Sequence, residues 1–305
     1  MGTTYSIKLV SLPPSINQEK LQNEIQSALN EIDHLMSTYL PSSELSRFNA
    51  YDRSDWFAVS PLTMRVIREA LEVSQQSKGA FDLTVGKLVN IWGFGKDSGE
   101  KVPPSEQEIQ EILKTIGYQR IEIDTNQNKI KKNDPSIVLD LSAVAKGFAV
   151  DEVANLLEGH QVANYLVEVG GEIRVNGTKQ NEIPWVLAIE KPITTKRAIY
   201  KTLSIGQNGM ATSGDYRNFF VKDGKRYSHV IDPETGYPIQ HETGSVSVIQ
   251  KSCATADAWA TALLVLGKDK GYEIAVKNNL SVLFVYRSKG GFRERGTANF
   301  LKYTK

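Results

Sequence analysis

Asp257 and Thr261 stand four residues apart near the start of an apolar-rich segment, Ser252–Leu266 (SCATADAWATALLVL). On an α-helix that interval puts a carboxylate and a hydroxyl on one face, a turn from each other. Two such oxygens suit a hard cation such as Mg²⁺, which shares its coordination with water and phosphate oxygens. An acid near a helix start also complements the helix dipole with no ligand present. By itself the pair supports either reading.

Three further segments carry residues able to do chemistry. Gly79–Gly95 (GAFDLTVGKLVNIWGFG) sets Asp82 among apolar neighbours and places Phe81, Trp92 and Phe94 between glycines. Glycine lets a backbone approach a flat ligand and aromatics supply stacking faces, although a turn with core aromatics has the same composition. Leu139–Val150 (LDLSAVAKGFAV) reads as a strand turning into a helix, with the Lys146 ammonium at the helix start. That is an anion site in outline, or simply a solvated lysine. Tyr227–Pro238 (YSHVIDPETGYP) places His229 within a strand ahead of a tight turn, where a histidine is structural or catalytic. Cys253, beside the Asp257 helix start, is expected to be a small buried residue rather than a reactive thiol. No G-x-G-x-x-G loop after a strand, Walker A loop, H-E-x-x-H or G-x-S-x-G elbow is present, and Ser142 with Lys146 misses the S-x-x-K interval.

The elements that must position these residues follow from caps and periodicity. Lys20–Met36 repeats Leu21, Ile25, Ala28, Leu29, Ile32 and Leu35 at helical spacing. Ser60-Pro61 is an N-cap followed by proline at the first helical position. Ser105 and Glu108 form a capping box for a helix through Ile116 that Gly117 stops. Residues 1–10 read as a strand, Ile137–Leu141 as a strand feeding a helix that ends near Gly159. Tyr165–Val169, Glu172–Val175, Trp185–Ile189, Ala198–Ile205, Tyr227–Ile231, Ser245–Ile249 and Ser281–Tyr286 read as strands. The mixture lacks a strict βαβ rhythm, so the expected class is α+β (mixed α/β) rather than doubly wound. Gly93–Pro104 is the expected surface loop or hinge.

With 36 basic and 35 acidic residues the net charge is +1, which leaves no electrostatic footprint for nucleic acid and no polybasic membrane signal. A single cysteine excludes an internal disulfide or a multi-cysteine metal site. No apolar run reaches the length of a transmembrane helix. At 305 residues the chain can form one large domain or two closely fused ones.

Taken in order, Met1–Tyr5 (MGTTY), Ser37–Asn49 (STYLPSSELSRFN), Gly79–Gly95, Asp140–Asp151 (DLSAVAKGFAVD), Val169–Glu172 (VGGE), Ala211–Tyr216 (ATSGDY), His229–Gly236 (HVIDPETG) and Cys253–Leu263 (CATADAWATAL) resemble the ApbE family. Its members are FAD:protein FMN transferases. The resemblance spans nearly the whole chain and implies one ApbE-type domain over 1–305, with T-fold-related mixed sheets, packed helices and an FAD cleft. It also implies Mg²⁺-dependent cleavage of the FAD pyrophosphate and attachment of FMN, by a phosphoester bond, to a threonine of an acceptor. The acceptors implied are flavoprotein subunits of membrane redox complexes, of the sodium-pumping NADH:quinone reductase or Rnf type.

Carried over by motif, the flavin and adenine contacts fall on Met1, Tyr39, Ala80, Phe81, Asp82, Lys146 and Ile231. The metal contacts fall on the Ala143 carbonyl, Asp257 and Thr261. His229 and Asp257 are both candidates for the group that takes the threonine proton. Some relatives carry glutamate at the position of Lys146. In relatives the MGTTY motif follows an export leader, often lipid-attached, so a periplasmic or surface-anchored protein is expected. An FAD pyrophosphatase and a non-catalytic flavin carrier are the alternative readings.

Overall fold

The structure is a computed structural model and describes residues 2–96 and 101–304. Met1 and the centre of the Gly93–Pro104 loop lie outside the described residues. The first half runs β1 (Tyr5–Leu9), α1 (Gln18–Met36), α2 (Glu44–Ala50), β2 (Phe57–Ala58), α3 (Pro61–Gln76), α4 (Gly86–Ile91), α5 (Glu106–Leu113), β3 (Ile121–Asp124) and β4 (Lys129–Lys132). It continues with α6 (Ala145–Gly159), β5 (Tyr165–Val169), β6 (Glu172–Asn176), β7 (Leu187–Glu190), β8 (Ile199–Leu203), β9 (Gly209–Gly214), β10 (Phe219–Lys222) and β11 (Lys225–Ser228). The last elements are β12 (Thr243–Gln250), α7 (Cys253–Lys277), β13 (Ser281–Ser288), β14 (Gly291–Gly296) and α8 (Ala298–Leu301).

The mixed α/β class expected from the sequence is what forms. An antiparallel seven-stranded sheet in the order β1-β5-β6-β9-β12-β13-β14 is the frame, beside a three-stranded sheet β2-β4-β3 and the ribbons β7-β8 and β10-β11. Period-two alternation divides the frame between two cores. Val246, Val248, Val282, Phe284, Ala211, Tyr165 and Val167 join the main cluster with α1, α3, α6 and α7. Their neighbours Ile249, Leu283, Val285 and Met210 point the other way and pack with Leu187, Ile189 and Leu203 of the β7-β8 ribbon.

Local chemistry sets the helix starts. The Ser60 and Ser105 side chains accept from the amides of Thr63 and Glu108, and the Ser105–Glu108 capping box closes as predicted. That helix ends at Leu113, three residues earlier than expected, where the chain turns towards Gly117 at φ 141.

One predicted strand does not form and another ends earlier than expected, at Ser228. Ile137–Leu141 makes only an isolated parallel bridge, Val138 to Val85. The Asn49 side-chain amide takes both the N–H and the C=O of Leu139, at 2.8 and 2.9 Å, where a neighbouring strand would stand. His229 lies just beyond β11 rather than within a strand. The Ser228 hydroxyl accepts the Val230 amide, and the Val230 carbonyl pairs with Ile239, so the chain peels off the ribbon there.

The Lys132 side chain is wholly buried in this half of the molecule. Its ammonium donates to the Asn49 and Ile137 carbonyls and lies 5.2 Å from the Phe48 ring centroid. Burial, with the Lys87 charge adding to it, brings its pKa down to about 8.

Candidate active site

Two helix starts meet at the centre of the site. The start of α6 lacks a side-chain cap of its own, because Val144 occupies that position. Asp257, one turn into α7 and 2% exposed, supplies it by accepting the Gly147 amide at 3.1 Å. The favour is returned. Asp151 in α6 accepts the Ala254 amide and the Ser252 hydroxyl at 3.0 Å, at the start of α7. Gly147 allows the approach, since a Cβ there would lie 2.3 Å from the Cys253 carbonyl oxygen. Asp257 therefore does serve a helix dipole, but that of the neighbouring helix.

Lys146 closes the arrangement. Its ammonium lies 3.2 and 3.4 Å from the two Asp257 oxygens, donates to the Ser142 carbonyl at 3.2 Å, and stands 3.7 Å from Glu172. Burial alone would depress this lysine, but Asp257 and Glu172 outweigh it and hold the pKa above the ordinary value. Glu172 follows the Gly170–Gly171 turn of the β5-β6 hairpin, both glycines having positive φ. It is 3% exposed, and burial pushes its pKa up to about 8, with Lys146 opposing and Asp257 reinforcing the shift. Its Oε2 has no hydrogen-bond partner among the described residues.

The remaining oxygens are neutral. Gly147 gives its amide to Asp257, so the Ala143 carbonyl receives no backbone amide among the described residues. The Thr261 hydroxyl shares a 2.9 Å hydrogen bond with Ser213 of β9. No group of three or more His, Cys, Asp and Glu able to hold a metal exists among the described residues. One carboxylate with hydroxyl and carbonyl oxygens fits a hard cation that takes most of its shell from water and substrate phosphates, and fits no soft metal.

His229 approaches from the β10-β11 ribbon. Its Nδ1 donates to the Asn218 carbonyl at 2.9 Å, which leaves Nε2 with the lone pair when the ring is neutral. Burial lowers its pKa, with the Lys146 charge adding to the shift and the Asn218 bond opposing it. Phe94 of the glycine-aromatic segment meets the His229 ring edge-on at 6.2 Å. The ribbon is clamped to the main sheet through Asp215, which pairs with Arg226 at 3.3 Å and with Arg287 at 2.9 and 2.7 Å.

The other predicted contacts are spread along the chain. Phe81 is core and Ala80 half-buried. Asp82 is buried, and its oxygens accept from the Thr84 amide and hydroxyl and from the Tyr118 amide. Burial raises its pKa. Ile231 packs with Leu88, Trp92 and Ile109, and Trp92 donates to the Gly236 carbonyl at 2.8 Å, so much of that aromatic segment is core. Tyr39 is 65% exposed. Among the described residues no hydrogen bond or ion pair joins Tyr39, Asp82 or Ile231 to Asp257. A cavity of about 210 Å³ opens among Asn49, Asn90, Lys96 and Leu139–Asp140, just before Ala143 in the chain. A broader groove of about 850 Å³ runs along α1 and includes none of the site residues. Cys253 is buried, and burial raises its thiol pKa well above the ordinary value, as expected of an inert cysteine.

Comparison with known proteins decides the family. The sequence profile of the ApbE family matches residues 1–284. The chain belongs to the ApbE family. The FAD:protein FMN transferase of Vibrio cholerae serotype O1 is 43% identical over 300 residues, 98% of this chain and 89% of that protein. The protein of the same name from Escherichia coli K12 is 36% identical, over 96% of this chain and 84% of its own length. Among solved structures, the flavin transferase ApbE from Vibrio cholerae superposes with a TM-score of 0.92 at 42% identity, covering 99% of this chain and 96% of that one. The apo form of the Pseudomonas stutzeri flavinyl transferase ApbE gives 0.91 at 36% identity, covering 100% and 94%.

Within this ApbE chain, sequence reasoning assigned no role to Glu172, Ser213, Gly147 or Asp151, although each lies in a quoted motif. An acid directly after a Gly-Gly hairpin turn was the available signal for Glu172. Ser213 had none, because a hydroxyl in a strand is commonplace.

Proposed function

We propose that this chain transfers FMN from FAD to a threonine side chain of an acceptor protein, with Mg²⁺ and with release of AMP. The observation that carries the reading is the buried Asp257 carboxylate, set against the Lys146 ammonium and the Gly147 amide where two helix starts meet. Positive ends of helices and a lysine favour a pyrophosphate. Asp257, Thr261 and the Ala143 carbonyl are the oxygens that would hold the cation. Bound there, Mg²⁺ would neutralise pyrophosphate charge as the phosphorus is attacked. Lys146 gives the leaving AMP phosphate a second positive centre.

The step balances simply. The threonine oxygen bonds to the FMN phosphorus, the bond to the bridging oxygen breaks in line, and AMP keeps that oxygen. The threonine proton passes to a base. His229 suits this better than Asp257. Its Nε2 is free to accept while Nδ1 is tied to Asn218, whereas Asp257 is already engaged by Lys146 and Gly147. The family resemblance supports acceptors among membrane redox-complex subunits and a periplasmic, lipid-anchored location; cell fractionation checks the latter. No helix among the described residues is long and apolar enough to cross a membrane.

Mass spectrometry of a threonine-bearing acceptor domain after incubation with FAD and Mg²⁺ tests the function. FMN attached to a threonine peptide, with AMP in equal amount, is the expected result. AMP and free FMN with an unlabelled acceptor would make the chain a pyrophosphatase. Stoichiometric FAD retained unchanged would make it a carrier.

A further inference from the structure

Glu172 is a buried acid with an unsatisfied oxygen, in a site where every other carboxylate is engaged. Its Oε1 lies 3.7 Å from the Lys146 ammonium, outside hydrogen-bond distance, and its Oε2 touches no donor among the described residues. Leaving a buried carboxylate oxygen unpaired is costly. Gly170 lies against the Lys146 stem, where a Cβ would come 3.0 Å from Lys146 Cδ, so the hairpin turn that carries the acid also lines the lysine stem.

The two Asp257 oxygens differ. Oδ2 accepts both the Gly147 amide and Lys146, while Oδ1 has only Lys146, at 3.4 Å. Oδ1 is thus the oxygen a cation can claim, and the lysine stands in its way. A divalent cation and an ammonium on one carboxylate repel each other. A shift of about 1 Å would bring the ammonium into a charge-assisted hydrogen bond with Glu172.

We propose that Glu172 is a positioning residue that takes the Lys146 ammonium when a divalent cation takes Asp257. The pairing moves from Asp257 to Glu172, which frees the metal-facing oxygen and keeps the lysine charge beside the pyrophosphate. This inference rests on the metal reading given above.

Mn²⁺ binding to the full chain, followed by the loss of the free-ion electron paramagnetic resonance signal, tests it without any turnover. Glu172→Gln is expected to weaken Mn²⁺ binding about tenfold, as outer-shell changes commonly do. Glu172→Asp, whose shorter side chain cannot reach, should act alike, and thermal melts check that both variants fold. The decisive arm adds Lys146→Met. With no ammonium to relocate, Glu172→Gln in that background should change Mn²⁺ affinity less than twofold. An equal loss in both backgrounds would make Glu172 a direct ligand or a mere source of charge and overturn the proposal. An unchanged affinity of Glu172→Gln in the natural background would overturn it as well. Mn²⁺ binding by the natural chain that Asp257→Ala does not weaken would instead overturn the metal reading, and this inference with it.

Discussion

Asp151 and Asp257 cap each other's helices: Asp257 of α7 accepts the Gly147 amide at the start of α6, and Asp151 of α6 accepts the Ala254 amide at the start of α7. The exchange locks two helix N-termini together with their positive ends converging. It also explains how an acid can sit at the centre of the site while 2% exposed, since its charge is compensated before any ligand arrives.

Asp257 should separate fold from function when its charge alone is removed. Asp257→Asn keeps an oxygen for the Gly147 amide and leaves Glu172 to pair with Lys146. The variant should melt close to the natural protein, yet, on the metal reading proposed above, lose flavin transfer by at least about 100-fold, because it removes the carboxylate charge offered to the cation. Acceptor labelling beside a thermal melt checks this. Undiminished labelling would remove Asp257 from the chemistry.

His229 should report itself in the pH profile. A base works in its neutral form, and burial lowers this imidazole from its ordinary 6.5. Transfer should therefore rise through an acidic limb centred below 6.5 and be flat from neutral pH upward. His229→Gln should cost roughly 100-fold or more in kcat with little change in KM for FAD, and should abolish that limb. A limb that survives the substitution belongs to another group.

Gly147→Ala tests the contact of the two helix starts. The added methyl would meet backbone, the Cys253 carbonyl at 2.3 Å and Ala254 Cα at 2.8 Å, which cannot swing aside. Destabilisation by about 1–3 kcal/mol and loss of transfer should appear together. Gly159→Ala, at the other end of α6 with nothing within 4 Å, is the control. It should leave transfer intact and gain up to about 1 kcal/mol. Denaturant melts of both variants check the contrast.

Lys132 should give stability an alkaline slope. Folded, its pKa is about 8; unfolded, it returns to the ordinary 10.5. Between those values the unfolded chain binds more protons, so stability rises with pH across that window and owes no slope to this group below it. The gain is on the order of 3 kcal/mol. Urea melts from pH 7 to 10.5 should show the rise, and Lys132→Met should flatten it.

Much of the architecture is legible in local signals. Ser60-Pro61, the Ser105–Glu108 box and the periodicity of α1 each place a helix, because caps and apolar stripes act within a few residues. Strand edges are less legible. Ile137–Leu141 has strand composition, but a side chain some ninety residues away in sequence takes the N–H and C=O of Leu139. Just after His229, whose amide still donates to the Asn218 carbonyl, the Val230 carbonyl takes the Ile239 amide, a partner that no local pattern announces.

By itself the sequence determined the amphipathic helices, the alternating strands, the inert place of Cys253 and the family, since ordered motifs survive without coordinates. It made Asp257 and Thr261 possible neighbours through a four-residue interval. Tertiary structure alone decided which helix Asp257 serves, that Lys146 is its partner rather than a solvated lysine, and that Glu172 and Ser213 belong beside them. Those relationships join residues far apart in the chain, and Gly147 is what lets the two helix starts touch. Hydrogen bonds and charge act over a few ångströms of space, whatever the distance along the sequence.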